Sequence, residues 1–217
     1  MNNTEIIQKT ELFIESQFRS EGSGHDWFHI DRVRKMALRI GEQEEGCDLF
    51  IVEMAALLHD LDDWKLNEVE SQNGSKTKKW LDNIELEAEV ARTILSITEE
   101  VSFKGAGIET PVQSMEAAVV QDADRLDAIG AIGIARTFAY GGHKSRLIYD
   151  PSILPVMHDD FQEYKNSTAP TINHFYEKLL LLKDRMNTKT AGVIAEQRHQ
   201  FMKDYLMQFY DEWEAIR

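Results

Sequence analysis

Apolar residues recur at spacings of three and four along most of the chain, the period of a helix with one buried face. Ile6, Ile7, Leu12, Phe13, Ile14 and Phe18 form the first such set, and Ile30, Val33, Ala37 and Ile40 form a second within 27–40. The stretch from Leu49 to Leu58, LFIVEMAALL, is apolar almost all round and predicts a buried helix. Shorter helical patterns cover 76–81 and 86–97. Thr110-Pro111-Val112-Gln113 reads as a helix start: the threonine caps, the proline takes the first turn and the glutamine reaches back to the cap amide. That helix is expected to run through Ala117, Val119 and Val120 toward Leu126, with another over 128–140. Gly141 to Pro170 holds two adjacent glycines and three of the four prolines, which predicts a long irregular loop. Beyond it, 171–186 and 188–216 read as two long helices. Strand-like alternation persists nowhere, so the expected fold class is all-α, a single compact multi-helix bundle.

Composition narrows the classes. The 217 residues carry 24 Lys and Arg against 38 Asp and Glu, a formal net charge of −14. That charge repels a polyanion and argues against a nucleic-acid partner. With a mean hydropathy of −0.41 and no apolar run near membrane-spanning length, no membrane association is expected. The first residues lack a basic segment followed by an apolar one, so no signal peptide is expected and the predicted location is the cytoplasm. The single Cys47 excludes an internal disulfide and a multi-cysteine zinc site. Phe201, Tyr205, Phe209 and Trp213 recur every four residues near the end, and core packing or a homodimer face are the alternatives for them.

The chemistry gathers at three segments. His25 and His29 are four apart in GHDWFHIDRV, which places both on one face of a helix. His59-Asp60 ends the buried run ALLHD, and Asp122 follows a second apolar run in VVQDADRL. An imidazole and carboxylates at the rim of a core are costly without a partner or a cation. Two histidines with two aspartates make a mixed nitrogen and oxygen set suited to Mn2+, Fe2+, Zn2+ or, less well, Mg2+.

The order of these segments, His29, then His59-Asp60, then Asp122, resembles the HD-domain metal-dependent phosphohydrolase superfamily. GHDWFHIDRV, LLHDLDDWK, VVQDADRLDAIGAIGIAR and LLLLKDRMNT together look like its YpgQ/YedJ-like subfamily. The resemblance spans about residues 20–215 and implies one HD phosphohydrolase domain over 1–217, with a metal core near 25–127 and a helical part near 171–216. It implies His29, His59, Asp60 and Asp122 as metal ligands, the first of them followed four residues later by Val33. The implied cofactor is a divalent ion, Mn2+ ahead of Mg2+, Zn2+, Fe2+, Co2+ or Ni2+. The implied activity is hydrolysis of a small-molecule nucleotide, foremost a (deoxy)nucleoside triphosphate, to monophosphate and pyrophosphate. Alternatives are a phosphomonoesterase or 5′-nucleotidase releasing phosphate, and a catalytically inactive ligand-sensing module.

Asp63 lies three residues after Asp60, on the same side of a continued helix, and related HD nucleotidases carry an acid at this offset. Asp63 is therefore expected to act as general base or water anchor, with Asp62 as a solvated rival. His25 is expected to assist the leaving group, and Asp26 to lie on the substrate side. Candidate phosphate-binding cations are Arg32, Lys65, Lys104, Lys144 and Lys183, with Arg125 and Arg185 beside them. Asp124 and Asp127 are read as partners of Arg125 or Arg32 rather than as ligands.

Overall fold

The computed structural model describes residues 1–19, 26–62, 75–101, 111–157 and 168–217. Among these there is no strand; the elements are nine α-helices and one 3₁₀ segment. None of the helices is long and apolar enough to cross a membrane. The chain falls into two compact units, Met1–Phe103 with Glu109–Ala123, and Lys104–Ile108 with Asp124–Arg217.

The first unit is organised by its most apolar segment. Helices α1 (Asn3–Phe18), α2 (Trp27–Gly41) and α5 (Ala88–Val101) all pack against α3 (Leu49–Leu58). Val52 and Met54 to Leu58 have no exposed surface at all. The one charge in the run, Glu53, faces Arg34 of α2 at 2.6 Å, and Arg34 also meets Glu11 of α1 at 3.0 Å. Helices α1 to α4 each start on a short polar side chain that accepts backbone N–H groups. Asn2 and Glu5 make a reciprocal box on α1, and the Asp48 carboxylate accepts from Phe50 and Ile51 on α3. Helix α4 (Lys76–Asn83) is fixed to α1 by Trp80, which stacks on Phe13 at 3.9 Å and donates to Thr10 Oγ1 at 3.0 Å.

Helix α6 (Met115–Asp127) begins later than its sequence suggests. Ser114 is the cap, its hydroxyl accepting from Ala117 N at 3.1 Å, and the backbone N–H of Gln113 donates to the Glu100 carboxylate. Thr110 lies outside the described residues. A serine one residue before the apolar run is the better-placed acceptor, and a helix keeps whichever cap fits its first turn.

In the second unit, α7 (Gly130–His143) and the long α9 (Lys189–Trp213) pack together. The expected loop after Tyr140 starts later, because α7 continues through both glycines. Gly141 serves close packing rather than chain breaking: a Cβ there would sit 2.3 Å from Thr171 Oγ1. The stretch after it stays irregular up to Met157, and Leu147 and Ile148 carbonyls accept from the amides of Thr171 and Ile172. The single long helix expected over 171–186 is instead a short α8 (Asn173–Glu177) followed by a 3₁₀ segment, Leu179–Arg185. Leu179 and Leu182, both buried, are three residues apart, and a three-residue turn puts them on one side. The terminal aromatics divide: Tyr205 stacks with Phe175 at 6.0 Å, and Tyr149 packs edge-on to Phe209 and Trp213. Phe201 stays half-exposed, because steps of four advance about 40° per repeat round the helix, and the buried stripe is Ala191, Ala195, Met202 and Leu206.

Candidate metal centre

Two helix ends deliver the histidines. Asp26 caps α2, accepting the His29 amide at 2.8 Å, so the third residue of the helix is held in place by its own cap. His29 then lies on the stripe that carries Ile30, Val33, Ala37 and Ile40, and it is 1% exposed. His59 follows the last residue of α3 in a continuing turn. Its Nδ1 lies 2.8 Å from the Ala56 carbonyl. A carbonyl only accepts, so Nδ1 carries a proton, which leaves Nε2 as the ring nitrogen that would face an ion.

Asp60 lies between the two rings. Its carboxylate oxygens are 3.3 Å from His29 Nε2 and 3.4 Å from His59 Nε2, and the rings meet at 5.4 Å between centroids. Both histidines and Asp60 are buried, and Asp122 on α6 is completely so. Asp124, two residues further along the same unbroken helix, brings a carboxylate oxygen within 4.8 Å of ring nitrogens of His29 and His59.

The donor set fits a divalent cation. Imidazole nitrogens and carboxylate oxygens are its usual ligands, and around an ion bound at about 2.1 Å they stand roughly 3–4 Å apart. The observed spacing needs only a small inward movement. A buried cluster of carboxylates is also expensive unless a cation compensates it.

Of the other expected site residues, His25, Asp63, Lys65 and Lys104 lie outside the described residues. Arg32 is half-buried on α2, one turn from His29. Lys144 ends α7 with its ammonium over the Tyr140 ring at 5.7 Å. Lys183 pairs with Glu196 at 3.1 Å and Asp184 at 3.8 Å. Asp127 pairs with Arg136 at 2.7 Å, and Arg125 donates to the Arg185 carbonyl. Asp62 is exposed, as expected of a solvated carboxylate, but it is also hydrogen-bonded. It accepts from Ser75 Oγ at 2.6 Å, Lys76 N at 2.7 Å and Thr77 N at 3.2 Å. Partial burial alone would raise its pKa, but the hydrogen bonds from Ser75, Thr77 and Lys76 hold it below the ordinary carboxylate value.

Asp124 is not among the ligands expected from the sequence. Its only signal is the doubled acid in QDADRL, and helical spacing puts those two acids about 200° apart, so spacing alone cannot favour both.

The model of the HD domain matches residues 27–129, from the start of α2 to just past α6. Over 209 residues the chain is 40% identical to the Bacillus subtilis protein YpgQ, covering 96% of this chain and 94% of that one. The chain belongs to the HD-domain family. Family members bind divalent metals, in keeping with the His-His-Asp cluster. An HD-superfamily hydrolase from Bacillus thuringiensis shares 47% identity with a TM-score of 0.76, covering 99% of this chain and 100% of that chain. The structure of Bacillus subtilis YpgQ in complex with ADP aligns at a TM-score of 0.74 and 38% identity, over 95% of this chain and 97% of that one.

Proposed function

We propose that this HD-family member is a divalent-metal-dependent nucleotide phosphohydrolase that cleaves (deoxy)nucleoside triphosphates to monophosphate and pyrophosphate. The observation that carries the reading is the buried junction of His29, His59 and Asp60, with Asp122 and Asp124 on α6. These residues would hold the ion, Mn2+ foremost. When bound, such an ion polarises a phosphoryl oxygen and lowers the pKa of a ligated water toward neutrality.

The chain supplies the rest. His59, with its proton fixed on Nδ1 by the Ala56 carbonyl, keeps Nε2 available as a donor atom without a tautomer change. Asp63, three residues past Asp60 in the sequence, would orient or deprotonate the attacking water, and His25 would assist departure of the leaving group. Arg32, Lys65, Lys104, Lys144 and Lys183 are the candidate holders of phosphate oxygens, with Asp26 beside them. The nucleotide as substrate class draws support from the YpgQ relative, whose structure holds ADP.

The test is chelation, then add-back of Mn2+, Mg2+, Zn2+, Co2+ or Ni2+ with a panel of nucleotides, products being separated by chromatography. Pyrophosphate and a monophosphate are expected. Release of inorganic phosphate instead identifies the phosphomonoesterase alternative, and absence of metal-dependent turnover on every phosphate compound sides with an inactive sensing module.

A further inference from the structure

The His59-Asp60 doublet sits on the weakest part of a helix. Helix ends leave carbonyls without intrahelical partners and fray. Here α3 stops at Leu58, and residues 59–62 continue it only as turns, with Leu61 N bonded to the Leu58 carbonyl at 3.1 Å. Upstream, the doublet is held by fully buried Leu57 and Leu58. Downstream, Leu61 is buried in the core and Asp62 adds a polar tie. Its two oxygens take three donors from the first turn of α4, which lies 13 to 15 residues further along the chain. Helix α4 is itself anchored on α1 through Trp80, and α1 packs on α3. The end of α3 is thus tied back, through Asp62, α4 and α1, to the body of the same helix.

We propose that Asp62 is a positioning residue for the metal doublet: by clamping the N-terminus of α4 it keeps His59 and Asp60 from fraying and so sets the affinity of the metal site. The inference rests on the metal-site reading above. Asp62 is suited to the task by chemistry as well as place. A carboxylate is acceptor-only, offers two oxygens, and is favoured at the positive end of a helix. Ser75, the α4 cap, is used in both directions, donating to Asp62 and accepting from Lys78 N at 3.0 Å.

The test compares Mn2+ binding to metal-free protein by electron paramagnetic resonance, with thermal melts of the same samples, for wild type, Asp62→Ala, Asp62→Asn and Asp48→Ala. Asp48→Ala is the matched control, since it removes an equivalent carboxylate cap at the far end of α3. Asp62→Ala is expected to weaken Mn2+ binding about tenfold, within the range that loss of groups supporting metal ligands produces. Asp62→Asn, which keeps an accepting oxygen, is expected to recover part of that loss. Asp48→Ala is expected to lower Tm with Mn2+ affinity unchanged. Equal Mn2+ affinity in wild type and both Asp62 variants overturns the positioning role, as does an equal loss in Asp48→Ala. Failure of wild type to bind Mn2+ or any other divalent ion overturns the metal-site reading itself. Should Asp62→Ala not fold, the Asp62→Asn and Asp48→Ala pair decides the matter alone.

Discussion

Single side chains show how far local chemistry sets the properties of this protein. The His29, Asp60 and His59 contacts put two imidazoles on one carboxylate, so removing that carboxylate separates a catalyst from a scaffold. Asp60→Ala is expected to lower kcat/KM at least about 100-fold and to abolish tight Mn2+ binding, measured by steady-state kinetics and calorimetry. Cys47 behaves differently. Burial, with Glu116, Asp48 and Glu44 adding to it, pushes its thiol up to about 11. The folded protein therefore retains this proton where the unfolded chain has lost it. The contribution to stability is complete below the ordinary thiol value near 9 and disappears as pH rises toward about 11. Iodoacetamide should label native Cys47 far more slowly at pH 8 than it labels the urea-unfolded chain, and a fast native reaction would contradict the burial argument. Much of the site is legible at this scale. A histidine and an aspartate ending an apolar helix are conspicuous because their burial is costly, and His29 lies on a clear apolar stripe. The part played by Asp124 is not legible, since a carboxylate on a helix looks the same whether it turns toward imidazoles or water. The hydrogen bonds of Asp62 are illegible for the converse reason: its partners are 13 to 15 residues away and no local pattern announces them.

At the scale of elements, the accuracy of a boundary follows the strength of the signal that makes it. Helix α3 has the expected limits because an apolar run bounded by Asp48 and His59-Asp60 leaves one solution. The ends of α7 and the division of 171–186 escape the sequence because glycines and leucines serve packing there, and packing depends on the partner. Gly141 admits Thr171. Gly133 is tighter still, since a Cβ on it would lie 2.2 Å from the Ala128 carbonyl oxygen, a backbone atom with little room to yield. Gly133→Ala should cost about 1–3 kcal/mol by overpacking, read as a lowered Tm, even though alanine favours helices elsewhere. In α3, Leu57→Ala removes a side chain with no exposed surface, and a loss of about 2–5 kcal/mol in urea unfolding is expected.

For the molecule as a whole, the excess of acids takes on a narrower meaning once some of them are placed. A net charge of −14 still opposes a nucleic-acid polyanion, yet Asp60 and Asp124 are buried or part-buried beside the two imidazoles of the candidate cation position. Like charges held together weaken the apo fold, so a divalent ion should act as a stabiliser as well as a cofactor. At Mn2+ about 100-fold above its Kd, mass action adds about 2.7 kcal/mol, visible as a rise in Tm that a chelator reverses. No shift on adding any divalent ion would argue against the proposed centre. Charge screening over about 8 Å at physiological salt leaves distant surface acids little influence on a small polyphosphate near that ion.

The second half of helix α3 has no solvent side, since Met54 to Leu58 are wholly covered by the helices around it. Its amide hydrogens can therefore meet water only when the first unit opens as a body, and their deuterium uptake measures the global opening free energy. The doublet begins one residue after this silent stretch. Deuterium uptake at Leu61 against that at Leu57 then times the loosening of the ligand turn separately from the unfolding of the helix that bears it.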